Sequence, residues 1–494
     1  MDKYLLGIDV GTTGTKALLF NANGGLLGHA YRPYDMITPK VLYSEQRAED
    51  WWEAVCQTVR ELCTDPQVAQ NVAAISLSLQ GGTMVPVDKD MQPVRNAIVW
   101  NDGRCAAQKE AYLREVGDAD SMYQKTGWNL GNGLNALEIR WMKDNEPENF
   151  AKTAMFLSVP DYVSVKMTGN AAVDLSDVGI NQLGNIRDEC YDADILAFAG
   201  ITEAQLPKIV HSGDVIGHLT EDAAAQMGLS TDCVLVAGAH DQYAVALGAG
   251  ATNAGDILIG SGTCWVVTAI GDQPSFETGL AQSVAAVPGL WGSLRSLSTG
   301  GVCLEWWRRN LTVDLEGNQI PFDVINREVD TRRAAEDHLF FFPFSGRAGE
   351  KANFNKATFV GLDLSHDKFH LARAVMEGVV FQTLWMMELF QTKPSSEGLK
   401  LAGGATKSAV WAQLVADISG LPVRIPEVAD LACVGAAILA GAGCGIYRDV
   451  KEGYEKLAVQ EKKIRPNSER AAMYKELYAE YKRVATTLAA SYNL

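Results

Sequence analysis

The sequence is poor in the features that are typical of secreted proteins and of proteins stabilised by a structural metal ion. None of its nine cysteines forms a CxxC pair, which argues against a disulfide framework and a cysteine-based zinc site. The first residues lack a basic region followed by a long apolar run, so they predict no signal peptide. We therefore expect a cytoplasmic protein with reduced, partly buried thiols, several of them in apolar surroundings: Cys56, Cys63, Cys264 and Cys433.

Positive charge is also scarce. The net charge of -17 repels nucleic acid phosphates and argues against DNA or RNA as a partner. The longest weakly polar run, residues 431–447, is rich in Ala and Gly and follows Asp430, so it predicts a buried helix rather than a membrane span. The chain has 494 residues, 47% of them hydrophobic, which is enough for two globular domains.

The chain does contain two copies of one unit, in which a Gly/Thr turn joins two strands. The first copy joins Leu5–Val10 to Lys16–Phe20 through Gly11–Thr15, and the second joins Asp256–Gly260 to Cys264–Ile270 through Ser261–Thr263. Elsewhere strands alternate with helices such as Asp50–Cys63, which predicts an α/β protein with mixed sheets. The repeat predicts two related halves that face each other, residues 1–245 and 246–494.

The first Gly/Thr turn has the composition of a phosphate site. Gly11, Thr12, Thr13 and Lys16 supply close backbone approach, hydroxyl donors and a positive charge. A plain Gly/Thr hairpin explains the turn equally well when it is considered alone. The second turn, with Gly262 and Thr263, favours a phosphate clamp with one turn from each half. Asp9 ends the strand before the first turn, within reach of a magnesium ion.

Asp241 is the candidate catalytic base. It ends the apolar strand that precedes it and lies near the junction of the two halves, so it can accept a proton from a hydroxyl that attacks phosphorus. Taken alone, the residue is better explained as a helix-capping Asp. The adjacent His240 is interpreted as structural.

Two further clusters predict ligand contacts. Trp100, Asp102 and Arg104 follow a strand and, with Gln80 and Gly81 after another strand, offer the polar rim and flat apolar face that a polyhydroxylated ligand needs. An ion pair between Asp102 and Arg104 is the alternative. Near the end of the chain, the glycine loop Gly403-Gly404-Ala405 leads into a helix that Ser408 can cap, which suits a nucleotide.

Taken together, these residues resemble the FGGY carbohydrate kinases. The resemblance rests on five motifs in order along essentially the whole chain: Gly7-Ile8-Asp9-Val10-Gly11-Thr12-Thr13, Trp100-x-Asp102-x-Arg104, His240-Asp241-Gln242, Gly262-Thr263 and Gly403-Gly404-Ala405-x-x-Ser408-x-x-Trp411. The segments Leu42–Gln46 and Ala97–Arg104 look most like the xylulokinase branch, and His370–Gly378 resembles the family's long helix in the second domain.

The resemblance implies an actin-like, two-domain ATPase fold with ATP and Mg²⁺ in the cleft and a small sugar as substrate. It implies Asp241 as the base and Asp9 with Asp241 beside magnesium. The phosphates then meet Gly11, Thr12, Thr13, Lys16, Gly262 and Thr263, the adenosine meets Gly403, Gly404, Ala405 and Ser408, and the sugar meets Gln80, Gly81, Trp100, Asp102 and Gln242. A homodimer is compatible with the family.

Two departures bear on the substrate. Many xylulokinases carry Met-His-Gly where this chain has Gly81-Gly82-Thr83, and a family Pro-Tyr-Leu-x-Gly-Glu-Arg is altered to Pro343–Arg347, without the Glu. The prediction is ATP-dependent phosphorylation of a ketopentose such as D-xylulose to xylulose 5-phosphate. The alternatives are another ketose, a polyol or an aldonate and, more remotely, an actin-like nucleotide-switch scaffold without sugar chemistry.

Overall fold

The computed structural model describes residues 2–131, 133–277, 279–313, 316–344, 346–348, 352–354, 356–428, 430–457 and 459–492. Strands and helices alternate through the first half of the chain. Its strands are β1 (Tyr4–Val10), β2 (Gly14–Asn21), β3 (Leu26–Pro33), β4 (Glu45–Gln46), β5 (Val72–Leu79), β6 (Met84–Val87), β7 (Ala97–Ile98), β8 (Met155–Ser158), β9 (Ala172–Asp174), β10 (Gly184–Asn185), β11 (Cys190–Tyr191), β12 (Lys208–Val210), β13 (Val215–His218) and β14 (Val234–His240). Its helices are α1 (Ala48–Leu62), α2 (Pro66–Gln70), α3 (Ala106–Glu115), α4 (Ala119–Thr126), α5 (Asn135–Asn145), α6 (Pro147–Lys152), α7 (Val159–Thr168), α8 (Leu175–Ile180), α9 (Ala193–Ala199), α10 (Glu221–Met227) and α11 (Asp241–Gly248).

The second half has the same alternation. Its strands are β15 (Ile257–Ser261), β16 (Trp265–Gly271), β17 (Ala281–Val284), β18 (Trp291–Leu297), β19 (Phe340–Phe342), β20 (Gly346–Ala348), β21 (Ala352–Phe354), β22 (Thr358–Val360), β23 (Leu399–Gly403), β24 (Val423–Pro426) and β25 (Glu461–Ile464). Its helices are α12 (Gly301–Leu311), α13 (Phe322–Asp330), α14 (Lys368–Met387), α15 (Ala409–Ser419), α16 (Leu431–Gly443), α17 (Val450–Lys456) and α18 (Ser468–Tyr492).

Two large mixed sheets repeat one topology. The first has the order β13-β14-β5-β1-β2-β3 and the second the order β17-β18-β16-β15-β23-β24-β25. In the first sheet β1 pairs antiparallel with β2 and parallel with β5, and in the second β15 pairs antiparallel with β16 and parallel with β23. The predicted mixed sheets and related halves are therefore confirmed. The boundary at residue 245 stays a prediction, and helix α11 continues through it to Gly248.

Strand β1 is apolar at nearly every position because both of its faces are covered. Leu6, Ile8 and Val10 pack into a core with Trp51 and other α1 residues, while Leu5 on the opposite face packs against α16. This double burial explains why the strand reads as a continuous apolar run rather than an alternating one.

Helix α16 comes from the second half of the chain but packs on the first sheet. Its close approach requires glycine at two contacts. A Cβ on Gly7 of β1 would lie 1.8 Å from the Cys433 carbonyl oxygen, and a Cβ on Gly435 would lie 2.0 Å from the Ala244 carbonyl oxygen of α11. The prediction of a buried helix in residues 431–447 is confirmed. Across the described ranges, no helix is both long and apolar enough to cross a bilayer.

One local prediction is confirmed and another is wrong. The long helix expected around residues 370–378 is α14. Helix α18 buries Tyr474 and Tyr481 in the core of the second half. Cys264 is exposed rather than buried, because it lies in the turn after β15. Strand β7 ends at Ile98, so Trp100 lies beyond it.

Candidate active site

A cleft between the two sheets collects most of the predicted site residues. One cavity of about 500 Å³ is lined by Asp9, Gly11, Thr12, Lys16, Gln80 and Asp241 from the first half and by residues such as Gly403, Gly404, Lys407 and Asp430 from the second. A second cavity of about 570 Å³ extends along the second half and contains Gly262, Thr263, Ala405 and Ser408. Gly404 and Lys407 line both cavities, so the two are contiguous.

The first Gly/Thr turn is held from outside by side chains. Tyr34 donates its hydroxyl to the Gly11 carbonyl (2.5 Å), and Gln46 donates its amide to the Thr12 carbonyl (2.6 Å). The Trp100 indole donates to Thr12 Oγ1 (3.0 Å). These bonds fix the turn in place before any ligand binds. Thr13 is exposed and is not among the residues lining either cavity.

Asp9 is a buried carboxylate at the end of β1. Its Oδ1 accepts a hydrogen bond from the Ser78 hydroxyl (2.9 Å), and its Oδ2 lies 3.8 Å from Lys16 Nζ. Burial first, and then the nearby Asp430 carboxylate, raises the pKa of Asp9 to about 7, with Lys16 acting in the opposite direction. Lys16 forms its closer ion pair with Asp430, at 2.8 Å.

A magnesium ion fits this cluster of carboxylates. Asp430 and Asp241 both raise the pKa of Asp9 electrostatically, so negative charge is concentrated where Asp9 and Asp241 line one cavity. Protein sites usually hold Mg²⁺ through one or two carboxylates together with waters and substrate phosphates, and Asp9 and Asp241 place two carboxylates on one cavity.

Asp241 opens α11 directly after β14. Its side chain is 37% exposed and lines the cleft, and in the described structure its carboxylate accepts no capping hydrogen bond; the His240 cap position likewise has none. His240 is buried, which lowers the pKa of its imidazole, and Asp241 partly offsets that effect. Asp241 therefore presents a carboxylate at the first residue of a helix, on the wall of the cleft.

The second turn is joined to the glycine loop. Ser261 donates its hydroxyl to the Ala402 carbonyl (2.5 Å) and accepts from the Ala405 amide (3.1 Å). The carbonyls of Gly262 and Thr263 accept from the amides of Gly301 and Gly300 at the start of α12, both at 3.1 Å. The turn and the loop therefore form one rigid wall of the cleft.

The loop Gly403-Gly404-Ala405 requires glycine at its first position. Gly403 has φ +92°, and a Cβ there would lie 2.8 Å from Ser261 backbone atoms. Ser408 caps α15 as predicted, accepting from the Trp411 amide at 3.1 Å, and it also donates to Asn326 Oδ1 at 2.7 Å. The aromatic side chains of Phe322 and Trp411 also line this second cavity.

The predicted sugar side is only partly assembled. Gln80 is buried beside the first turn and donates to Gln46 Oε1 at 3.1 Å, and Trp100 is 47% exposed. Gly81 is buried, and Gln242, the second residue of α11, is half-buried.

Asp102 lines neither of the two cavities. Its side chain is fully buried and hydrogen-bonds the Arg104 guanidinium and the Ser44 amide (2.7 Å). Arg104 in turn pairs with Glu45 at 2.9 Å. The alternative ion pair is thus what the structure shows, buried rather than on the surface.

The structure gives a steric reason for one of the two departures. Gly82 has φ +74°, and a Cβ there would lie 2.7 Å from Leu134 Cδ2. A histidine at position 82 would therefore need a different backbone and a displaced Leu134. The altered segment Pro343–Arg347 includes Ser345, which lies outside the described residues, as does the side chain of Arg347.

Sequence reasoning missed Asp430, which lines the cleft, and Gln46, which supports its first turn. Asp430 caps α16 through the Cys433 amide (3.1 Å) and pairs with Lys16, and Gln46 holds the first turn. The signal for Asp430 was its position before an apolar helix, which indicates a cap but not the contact with Lys16. The His366 and His370 pair, which has helical spacing, was also overlooked, and its imidazoles contact the turn of Asp363 and Asp367.

Comparisons with known proteins agree over the whole chain. The N-terminal domain of the FGGY family of carbohydrate kinases matches residues 4–248, and the C-terminal domain of that family matches residues 256–444. A xylulose kinase from Bacillus subtilis is 29% identical over 497 residues, which cover 98% of this chain and 97% of that protein. A gluconokinase from the same organism is 29% identical over 454 residues, covering 89% and 87%.

Among solved structures, a xylulose kinase from Rhodospirillum rubrum superimposes with a TM-score of 0.90 at 26% identity, covering 100% of both chains. The fold is thus the two-domain, actin-like ATPase fold that the sequence motifs implied, with mixed sheets and flanking helices.

Proposed function

The chain belongs to the FGGY family of carbohydrate kinases, and on that premise we propose that it transfers the γ-phosphate of ATP to a ketopentose such as D-xylulose, giving xylulose 5-phosphate. The family uses ATP as the phosphate donor. The observation that carries the proposal is the convergence of Asp9, Asp241 and Thr12 from the first half with Gly403 and Gly404 from the second on one cleft.

In the proposed reaction Asp241 is the general base. Its carboxylate orients a terminal sugar hydroxyl and removes the hydroxyl proton as the oxygen forms a bond to the γ-phosphorus. The bond between that phosphorus and the β,γ-bridging oxygen breaks, and ADP leaves with the electron pair. The proton remains on Asp241 until solvent exchanges it.

The two turns supply electrostatic stabilisation. Hydrogen bonds to the carbonyls of Gly11, Thr12, Gly262 and Thr263 hold both turns in place. The backbone amides and threonine hydroxyls of the turns therefore need little reorganisation as charge develops. Lys16 and Asp9 stand beside the first turn. When bound at Asp9 and Asp241, Mg²⁺ supplies charge neutralisation of the phosphate oxygens.

A second candidate is an aldonate or polyol as acceptor. It is favoured by the gluconokinase relative, which matches at the same identity as the xylulose kinase, and by Gly81-Gly82, which leaves backbone where many xylulokinases have a histidine. The catalytic apparatus proposed here is the same for either acceptor.

The test is an ADP-release assay with MgATP against D-xylulose, L-xylulose, other ketopentoses, polyols and gluconate. We expect the highest kcat/KM with a ketopentose. The highest value with gluconate or a polyol would replace the ketopentose and keep the mechanism. ATP turnover independent of every sugar would favour the nucleotide-switch alternative.

Asp241→Asn is the matched variant for the base. It preserves side-chain size and removes the proton acceptor, so kcat should fall by about 10²–10⁴-fold. The thermal midpoint should change little, because Asp241 is partly exposed and forms no capping bond. Near-normal turnover by Asp241→Asn would refute its role as the base.

Cellular location and assembly belong to the same proposal. Nine cysteines without a disulfide among them are typical of a reducing compartment, which supports a cytoplasmic protein. A homodimer remains a prediction, and light scattering on the purified protein measures it directly.

A further inference from the structure

His240 is a buried histidine directly beside the proposed base. Its Nδ1 is buried and has no hydrogen-bond partner in the part of the chain that the structure describes. The same Nδ1 lies 3.4 Å from Asp241 Oδ1. A buried donor without a partner is destabilising, so a hydrogen bond that forms when substrates bind would offset that cost.

The position of the imidazole is fixed from two sides. The His240 amide donates to Ser176 Oγ (2.9 Å), and Ser176 is itself held by the buried Asp174 carboxylate through its amide at 2.9 Å. The ring lies between Trp128 and Tyr243, with centroid distances of 5.7 Å to each. The ring therefore has little freedom to point elsewhere.

Gly81 leaves the room that this ring occupies. A Cβ on Gly81 would lie 2.6 Å from His240 Cδ2, 2.8 Å from Ile180 Cγ2 and 2.9 Å from Asp177 Oδ1. Cβ contacts under 3.0 Å essentially never occur in real structures. Any larger residue at position 81 therefore displaces the imidazole or the helix behind it.

From this geometry we propose that His240 is a positioning residue for the base: its Nδ1–H donates to Asp241 Oδ1, holding that carboxylate toward the acceptor hydroxyl, and Gly81 is required because it accommodates the ring. The inference rests on the proposed role of Asp241. The 3.4 Å separation is long for a hydrogen bond, and contacts of this kind in ligand-free sites commonly tighten in the reactive complex. The role is orientation of one oxygen, and no proton is transferred by His240.

Three variants of His240 separate orientation from packing. His240→Asn places an amide donor close to where Nδ1 stands, His240→Gln places its amide one atom farther out, and His240→Leu has no donor. We expect kcat to stay within about threefold in His240→Asn and to fall at least about tenfold in the other two. KM for ATP should change by less than about twofold in all three.

A loss of kcat that is equal in His240→Asn and His240→Leu would overturn the proposal, since the donor would not be what matters. Wild-type kcat in His240→Leu would overturn it as well. Thermal midpoints are recorded for each variant, and should His240→Leu fail to fold, the comparison of His240→Asn with His240→Gln decides.

Substitution of Gly81 provides an independent test of the proposal. Gly81→Ala should lower kcat in the wild-type background and have much less effect in His240→Leu, because the ring it displaces is gone. Gly117→Ala is the control, since a Cβ there meets Ser121 atoms no closer than 3.4 Å. Fully additive losses would contradict the link between the two residues.

Failure of this inference is distinguishable from failure of the proposed function. A wild-type protein without sugar-stimulated ADP release refutes the function. A wild-type protein that turns over and is inactivated by Asp241→Asn, but whose His240 variants all keep normal kcat, refutes only the role of His240.

Discussion

At the residue scale, two buried carboxylates of the first half have different partners. Asp9 lies at the end of β1, where its Oδ2 is 3.8 Å from Lys16 Nζ, and its prediction rests on a local signal, an apolar strand followed by small polar residues. Asp102 was expected in the sugar pocket, whereas its side chain pairs with Arg104 and joins Glu45 through it. No spacing rule places Glu45 there, since that contact depends on how β4 and β7 pair.

Asp9→Asn tests the carboxylate cluster. The substitution removes one negative charge beside Lys16 and Asp430 and keeps the Ser78 contact possible, so the fold should survive. We expect kcat to fall at least about 100-fold and the Mg²⁺ concentration for half-maximal rate to rise. A titration of rate against Mg²⁺ at fixed ATP measures both, and an unchanged Mg²⁺ requirement would remove Asp9 from the metal site.

Asp161 offers a pH test of stability away from the cleft. Burial raises its pKa from 3.8 to about 7, against hydrogen bonds from Ser158. The folded protein thus holds a proton that the unfolded chain releases near pH 4. The free energy of unfolding should therefore fall as pH rises from about 4 to about 7, by up to ~1.4 kcal/mol per pH unit from this group.

The variant Asp161→Asn removes that titration. Relative to wild type, its free energy of unfolding should increase with pH up to about 7 and then level off. Denaturant unfolding at several pH values measures the difference, with the exposed Asp232→Asn as control. A difference independent of pH would contradict the buried, protonated carboxyl.

At the element scale, the strand–turn–strand repeat correctly predicted two sheets of one topology, because each copy is a contiguous segment. What it did not predict is where α16 packs. Apolar composition predicted its burial, but its contact with β1 depends on Gly7 and Gly435, which only the folded structure relates.

Gly435→Ala tests that packing. The added Cβ meets the Ala244 carbonyl oxygen at 2.0 Å, so α16 must move away from α11. We expect a loss of about 1–3 kcal/mol in the free energy of unfolding and a lower kcat, since α11 begins with Asp241. Gly117→Ala serves as the control again, and an unchanged kcat at reduced stability would separate packing from catalysis.

At the scale of the whole molecule, hydrogen bonds join the two halves. Ser283 of β17 donates to the Ser176 carbonyl (3.1 Å), and the Gln282 backbone amide donates to the Gly127 carbonyl (2.8 Å). Residues of both halves also line one cavity, an arrangement typical of hinge closure. No sequence motif marks these contacts.

Closure should therefore require both ligands. In Asp241→Asn, in which turnover is slow, MgATP together with the sugar should lower the radius of gyration by roughly 0.5–1 Å, and the sugar alone should lower it less. Small-angle X-ray scattering on the full chain measures this. An identical radius with and without ligands would mean that the cleft is already closed.

The packing of α16 on the first sheet also has a consequence for synthesis. Leu5 and its neighbours on β1 emerge from the ribosome long before α16, which begins at residue 431. At a synthesis rate of 5–20 residues per second, the face of the sheet that α16 covers therefore stays exposed for on the order of ten seconds or more. During translation the nascent N-terminal half therefore exposes an apolar surface that only the later half can bury. Folding of the first half is completed only when α16 packs on its sheet, and chaperones can bind the exposed surface until then.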